Sequence, residues 1–96
     1  WHLDLRNWKY GKILLISLIR RAVVSVPTNI AEGSGSRSNK DFSHFLNISV
    51  KSVFEVVSLL VISLKNMYIT NDEFTNLRNK AEILVKRIQS FSNSLK

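Results

Sequence analysis

The sequence predicts an all-α fold, and three observations carry that prediction. Glycine and proline are scarce, three and one in 96 residues, which suits long helices. Apolar residues recur at spacings of three and four over most of the chain, the period of a helix that packs by one face. No strand-like alternation is sustained for long, and there is no low-complexity tract or internal repeat. The length fits one helical-bundle domain over residues 1–96.

From Leu5 to Ile30 the apolar residues Trp8, Leu15, Ile16, Ile19, Val23, Val26 and Ile30 keep a helical period. Pro27 interrupts it. Proline removes a backbone donor and clashes with the preceding turn, so a kink or a break is expected there. Gly33 is the expected C-terminal stop, since glycine adopts positive φ cheaply. Arg21, Ser25, Asn29 and Glu32 share the opposite face. They read either as a solvated face or as a polar seam or binding surface.

The clear loop is Gly33–Asn39, and a weaker break lies at Asn66–Asp72. Between them a helix is expected from about Lys40 to Met67, with Ser38 as N-cap and Asp41 three residues on. One face carries Phe42, Phe45, Ser49, Ser52, Val53, Val56, Leu60 and Leu64; another carries Phe54, Val57 and Val61. A helix apolar on more than one side is buried on more than one side, which in a small protein points to a subunit interface.

The last segment has a single stripe: Phe74, Leu77, Ala81, Leu84, Val85, Ile88, Phe91 and Leu95. Thr70 and Glu73 form the pattern of a capping box, so this helix should begin at Asn71 or Asp72.

Composition bounds the function. Fourteen Lys and Arg stand against seven Asp and Glu, a net charge of +7. Such an excess favours polyanions through counterion release; the alternative is a solubilising surface. There are no cysteines, which excludes disulfides and Cys-based metal sites and fits a reducing cytoplasm. The contiguous apolar runs fall short of the ~18 residues of a membrane span. The expectation is a soluble, cytoplasmic protein with no membrane contact. A hydrophobic share of 45% is large for so small an interior, so part of it is expected between copies.

No enzyme, cofactor or metal site is expected. His2 and His44 are the only histidines; the first lies near a terminus and the second reads as a surface or interface residue. Glu32 and Glu55 are poor grounds for acid–base chemistry and are expected to pair with arginines. Gly33-Ser34-Gly35-Ser36 lacks the Gly-Lys-Ser/Thr ending of a phosphate loop. Arg37 and Lys40, beside the amides at the Ser38 cap, are still placed to meet phosphate. Trp1, Trp8 and Tyr10 interleave with Arg6, Lys9 and Lys12. Such a pattern can stack on single-stranded bases; the favoured reading is that Trp8 is core and the charges solvated. The predicted nucleic-acid contacts are Arg20, Arg37, Lys40, Lys86 and Arg87, acting on phosphates without strong base readout. Arg21, Asn29, Glu32 and Glu55 are assigned to the structural polar seam.

The run Arg20-Arg21-Ala22-Val23-Val24-Ser25-Val26-Pro27-Thr28-Asn29-Ile30-Ala31-Glu32-Gly33 resembles the most recognisable stretch of the 23S rRNA-intervening-sequence proteins. Their pattern is an Arg-Ala pair, Ser-Ile-Pro, then Asn-Ile-Ala-Glu-Gly. Arg37, Ser38, Lys40-Asp41-Phe42 and Phe45-Leu46 continue it, as do Ser52 and Glu55. Asn66-Met67-Tyr68-Ile69 approximates a Leu-Gly-Tyr-Ile element. The resemblance covers about residues 18–92. There are departures: Lys51 stands where the family has a glycine, and few residues separate the Asp4-Leu5-Arg6-Asn7-Trp8 element from Arg20.

The resemblance implies an up-and-down antiparallel four-helix bundle, with the first helix truncated or fused with the second. A helix bearing Trp8, distinct from the one bearing Arg20–Ile30, is expected. It also implies a homo-oligomer, commonly a pentamer. Relatives include the accessory variability determinant of diversity-generating retroelements, which binds nucleic acid and a reverse transcriptase. The implied partners are therefore RNA or DNA, or a protein.

Overall fold

The computed structural model describes residues 4–96. Three helices follow in order: α1 Gly11–Ser34, α2 Asn39–Lys65 and α3 Asn71–Ser94. Short loops at 35–38 and 66–70 make an up-down-up arrangement, a rod of 48 × 23 × 20 Å. The described residues hold no strand. The all-α class is as expected; the count of four is not, since three helices are present among the described residues. Trp8 lies on no helix. Residues 4–10 form turns, closed by Trp8 N–H donating to the Leu5 carbonyl (3.1 Å) and Gly11 N–H to the Trp8 carbonyl (3.0 Å). Of the two sequence alternatives, one continuous helix through Arg20–Ile30 is the nearer. Trp1 and His2 lie outside the described residues.

α2 is the centre. α1 and α3 each pack on it, and their backbones do not approach one another. Its buried residues include Leu46, Val50 and Val53 on one stretch and Leu59, Leu60 and Ile62 on the next. The first group packs with Val26 of α1 and Val85 and Ile88 of α3; Leu59 and Ile62 pack with Leu5, Leu15 and Ala22. Burial on more than one side of α2 is thus met largely within the chain, by its two neighbours. Phe54 nonetheless remains 55% exposed.

α1 buries a narrow stripe: Gly11, Leu15, Ala22, Val26 and Gly33. Their spacings of four and seven repeat one helical face, with the small residues at 22 and 33 admitting close approach of α2 and Gly11 that of Leu5. A Cβ on Gly33 would sit 2.7 Å from Phe42 Cδ1 and 2.9 Å from Phe45 Cβ. Gly33 therefore serves to make room for α2. It does not end the helix by positive φ, which no described glycine adopts; α1 runs one residue further and is capped at Gly35.

Pro27 does not break α1. Its missing N–H leaves the Val23 carbonyl without its helical donor, but both residues are exposed and solvent satisfies that oxygen. Neighbouring side chains reinforce the turn. Thr28 Oγ1 donates to the Val24 carbonyl (2.8 Å), Asn29 Nδ2 to the Ser25 carbonyl (2.8 Å), and Ser49 Oγ of α2 to the Val26 carbonyl (2.9 Å).

The helix ends of α2 and α3 follow the sequence closely. Ser38 Oγ accepts from Asp41 N–H (3.1 Å). Thr70 and Glu73 complete a capping box, with Thr70 Oγ1 accepting from Glu73 N–H and Glu73 Oε1 from Thr70 N–H. The Thr70 N–H first, and the Thr70 hydroxyl after it, hold the Glu73 carboxyl below its ordinary pKa. α2 closes in a Schellman arrangement: Tyr68 N–H donates to the Ser63 carbonyl and Met67 N–H to the Leu64 carbonyl. The pivot, Met67, has φ 61°, a left-handed conformation. It stands where the resembling family carries glycine.

By length and mean hydropathy α1 and α2 are long and apolar enough to cross a membrane, which the short contiguous runs did not foretell. For α2 the same composition is that of a helix packed on two sides.

Candidate nucleic-acid interface

The five predicted phosphate contacts are all on the surface. Arg37 lies in the α1–α2 loop and Lys40 in the first turn of α2. They share the end of the rod where Asn39 Nδ2 donates to the Leu95 carbonyl (3.1 Å). Lys86 and Arg87 line a shallow depression on α3 with Ile83 and Phe91. Arg20 stands on α1. The structure thus sets two pairs and one single cation along the rod and does not gather them into one cluster. Among the described residues the ion pairs are Arg6–Asp4 (3.0 Å) and Arg78–Glu82 (3.9 Å), and none of the five cations takes part in either.

Part of the α1–α2 contact is polar. Ser25 Oγ and Ser52 Oγ share a hydrogen bond at 2.8 Å between α1 and α2, and Asn29 Nδ2 donates to Ser25 Oγ at 3.0 Å. Ser49, fully buried, reaches the α1 backbone. Arg21, Glu32 and Glu55 do not join it: all three are exposed, and neither carboxylate pairs with a described arginine. The reason is reach. Ser25 and Asn29 lie beside the close α1–α2 seam, and at that separation only short side chains fit between the backbones. Lys51, in the place of a family glycine, is exposed to solvent and leaves the seam intact.

The N-terminal turns hold a feature that sequence reasoning set aside. Trp8 is 49% and Tyr10 53% exposed, so Trp8 is not core. The two rings meet edge to face at 6.3 Å, and Lys9 Nζ lies 5.4 Å from the centre of the Tyr10 ring. Lys12 Nζ sits 6.0 Å from the Tyr68 ring. The Arg6 guanidinium is bound by Asp4, whose hydrogen bond and charge raise its pKa.

These turns are fastened to the bundle. Leu5 is buried; its N–H donates to Asn66 Oδ1 (2.6 Å) and its carbonyl accepts from Tyr68 Oη (3.2 Å). A Cβ on Gly11 would fall 2.7 Å from both the Leu5 Cβ and its oxygen, so a larger residue there would displace the turn. Nothing local in the sequence signals this clamp, because its partners lie 61 and 63 residues apart.

One apolar groove runs between α1 and α3, floored by α2. It is lined by Val23, Val26 and Pro27, by Val53 and Val56, and by Ala81 and Leu84 with Lys80 at its edge. Its volume is about 320 Å³. A second, between α2 and α3, is lined by Phe54, Val57 and Val85 among others. No group of three His, Cys, Asp or Glu side chains converges among the described residues.

No curated protein matches the chain closely enough to stand as a relative. The family model described as 23S rRNA-intervening sequence protein matches residues 6–90, a span that takes in the Trp8 turn, the Arg20–Gly33 stretch, all of α2 and most of α3. On that match the chain belongs to the 23S rRNA-intervening sequence protein family.

Proposed function

We propose that this protein is a non-catalytic, oligomeric accessory subunit of the cytoplasm that binds nucleic acid, RNA foremost, by neutralising phosphates. The observation that supports the reading is a basic surface without internal counterions. Arg20, Arg37, Lys40, Lys86 and Arg87 are exposed and outside the ion pairs of the described residues, on a chain of net charge +7. Phosphate contacts of this kind release condensed cations from the nucleic acid and track its backbone. Filter binding with structured RNA and duplex DNA tests the reading. Affinity in low salt that falls steeply as salt rises is the expected result. No binding below ~10 µM, or binding indifferent to salt, would reject it.

Self-association is part of the proposal, a ring of five being the number the resemblance implies. The accessible surface is 6889 Å², against ~5,600 Å² for a compact monomer of this mass. The excess is of the order that one partner gives up in a standard interface, ~800 Å². The grooves beside Leu84 and Phe54 are assigned to a second copy of this chain. Light scattering in 0.15 M salt at micromolar concentration should give a multiple of 11.0 kDa; a mass near one chain rejects association, and a mass near two rejects the ring.

The competing reading is a scaffold for a protein partner such as a reverse transcriptase, favoured by the same grooves. A pull-down that survives nuclease supports the scaffold; one that nuclease abolishes supports nucleic-acid binding.

A further inference from the structure

We infer that the Trp8–Tyr10 turn is a stacking platform for single-stranded nucleic acid, a claim that rests on the nucleic-acid reading above. Four observations lead there. Both residues stand about half in solvent, although each ring would gain by burial and each is large. They meet edge to face at 79°, an arrangement in which the rings brace one another without stacking face on face. Cations alternate with them in the chain: Arg6, Trp8, Lys9, Tyr10, Lys12. The turn that carries them is clamped through Leu5 to Asn66 and Tyr68 in the α2–α3 loop, so the rings are displayed on an anchored backbone.

A single strand is a polymer of alternating π-faces and phosphates. An anchored pair of rings offers the first a surface to stack on, and the interleaved ammonium groups of Lys9 and Lys12 meet the second. Arg6 is partly engaged already by Asp4 (3.0 Å), so the two lysines are the main phosphate partners. Duplex nucleic acid would gain little at this site, since its bases are stacked on each other. The same residue types occur at membrane surfaces; the single strand is favoured here because the cations alternate with the rings along the chain, as phosphates alternate with bases.

The test compares the full chain with its Trp8→Ala variant on labelled oligothymidylate, on oligouridylate and on a duplex of equal length. Far-UV circular dichroism checks the fold. The Trp8 carbonyl still accepts from Gly11 in the variant, because that bond is made by the backbone. Tyr10→Ala provides a second, independent removal of a ring. Single-strand affinity should fall roughly 5- to 100-fold, with duplex affinity unchanged. The salt slope should also be unchanged for Trp8→Ala, since stacking releases no counterion. Lys9→Ala with Lys12→Ala should instead flatten that slope by roughly 0.7 for each phosphate no longer neutralised. In a Trp1→Phe background the remaining indole reports directly, and single strands should quench it.

Single-strand binding that both ring variants retain at full strength overturns the platform and leaves the phosphate-binding reading standing. Failure of the unaltered protein to bind any nucleic acid overturns both. Vesicles of phosphatidylcholine with phosphatidylserine that bind in a Trp8-dependent way, with no Trp8 effect on single strands, assign the turn to membranes and overturn the platform as well.

Discussion

α1 and α3 are helices of equal length, 24 residues each, both packed on the same central helix. They are held by different means. α1 is the more apolar of the two, yet it buries a thin line of residues, three of them glycine or alanine, and leaves Ile13 65% and Val24 61% exposed. α3 is polar overall and has one apolar stripe, but only Val85 and Ile88 on it are buried. α1 is fixed by closeness, through small residues and short hydroxyls that bring its backbone against α2. α3 is fixed by two aliphatic side chains and a well-made N-terminus. The helix richer in apolar residues is the one with more of them uncovered, which marks α1 as the helix with more to gain from a neighbour.

Four substitutions break or sharpen this contrast. The largest effect should come from Ile88→Ala, which removes one of the two buried anchors of α3. A loss of about 3 kcal/mol is expected in urea unfolding. Amide exchange should then accelerate in α3 well before it does in α1; uniform acceleration would show that α3 does not depend on its two anchors. Gly33→Val attacks the other side. Its side chain meets Phe42 and Phe45, and overpacking of that kind costs about 2 kcal/mol, with exchange rising at the C-terminal half of α1. A neutral result would mean that closeness is not what fixes α1.

Thr70→Ala should cost about 1 kcal/mol through removal of the cap and loosen only the first turn of α3. The partner half of the box titrates. Because the folded Glu73 carboxyl has a lowered pKa, its contribution is fully present above the unfolded carboxylate value. It fades as pH falls through the folded one, so acid should fray α3 first. Thermal scans at neutral pH and at pH 3 of the Thr70→Ala variant should differ less than those of the parent.

The smallest change is a gain. Met67→Gly relieves a side chain held at φ 61°, and a rise of about 0.5–1 kcal/mol is expected. A fall would mean that the 76% exposed Met67 side chain packs against a neighbour in the assembled protein.

What is legible in the sequence follows the same division. The starts of α2 and α3 can be read because Ser38 with Asp41, and Thr70 with Glu73, are caps written within four residues. The start of α1 cannot. Tyr10 makes no side-chain cap, and the turn before it is set by Asn66, far along the chain. Backbone arithmetic alone predicts a break at Pro27; the helix continues because Pro27 and Val23 lie on an exposed face, while Ser49 of another helix ties the Val26 carbonyl beside it. Gly33 stands out in the sequence, but torsion is the wrong reason and space the right one. Residue type alone gives Glu32 and Glu55 arginine partners, and their exposed positions bring them none among the described residues. The basic residues are legible as surface, because charge keeps them there. Trp8 reads as core because an aromatic at helical spacing looks like core, and only the clamp at Leu5 ends that periodicity.

The order in which α2 meets its neighbours also bears on how the chain reaches this state. Helices adjacent in sequence are adjacent in space, and the backbones of α1 and α3 nowhere come together. Most docking therefore closes a short loop, at 35–38 or 66–70, and the entropy of closure stays low. Chains of this topology fold in microseconds to milliseconds. The Leu5 clamp is the exception, joining residues 61 apart. Once the α1–α2 hairpin has zipped, however, its two ends already lie side by side. The clamp then becomes a late and local event: the turn bearing Trp8 is the last part to set, and on unfolding it is the first to let go.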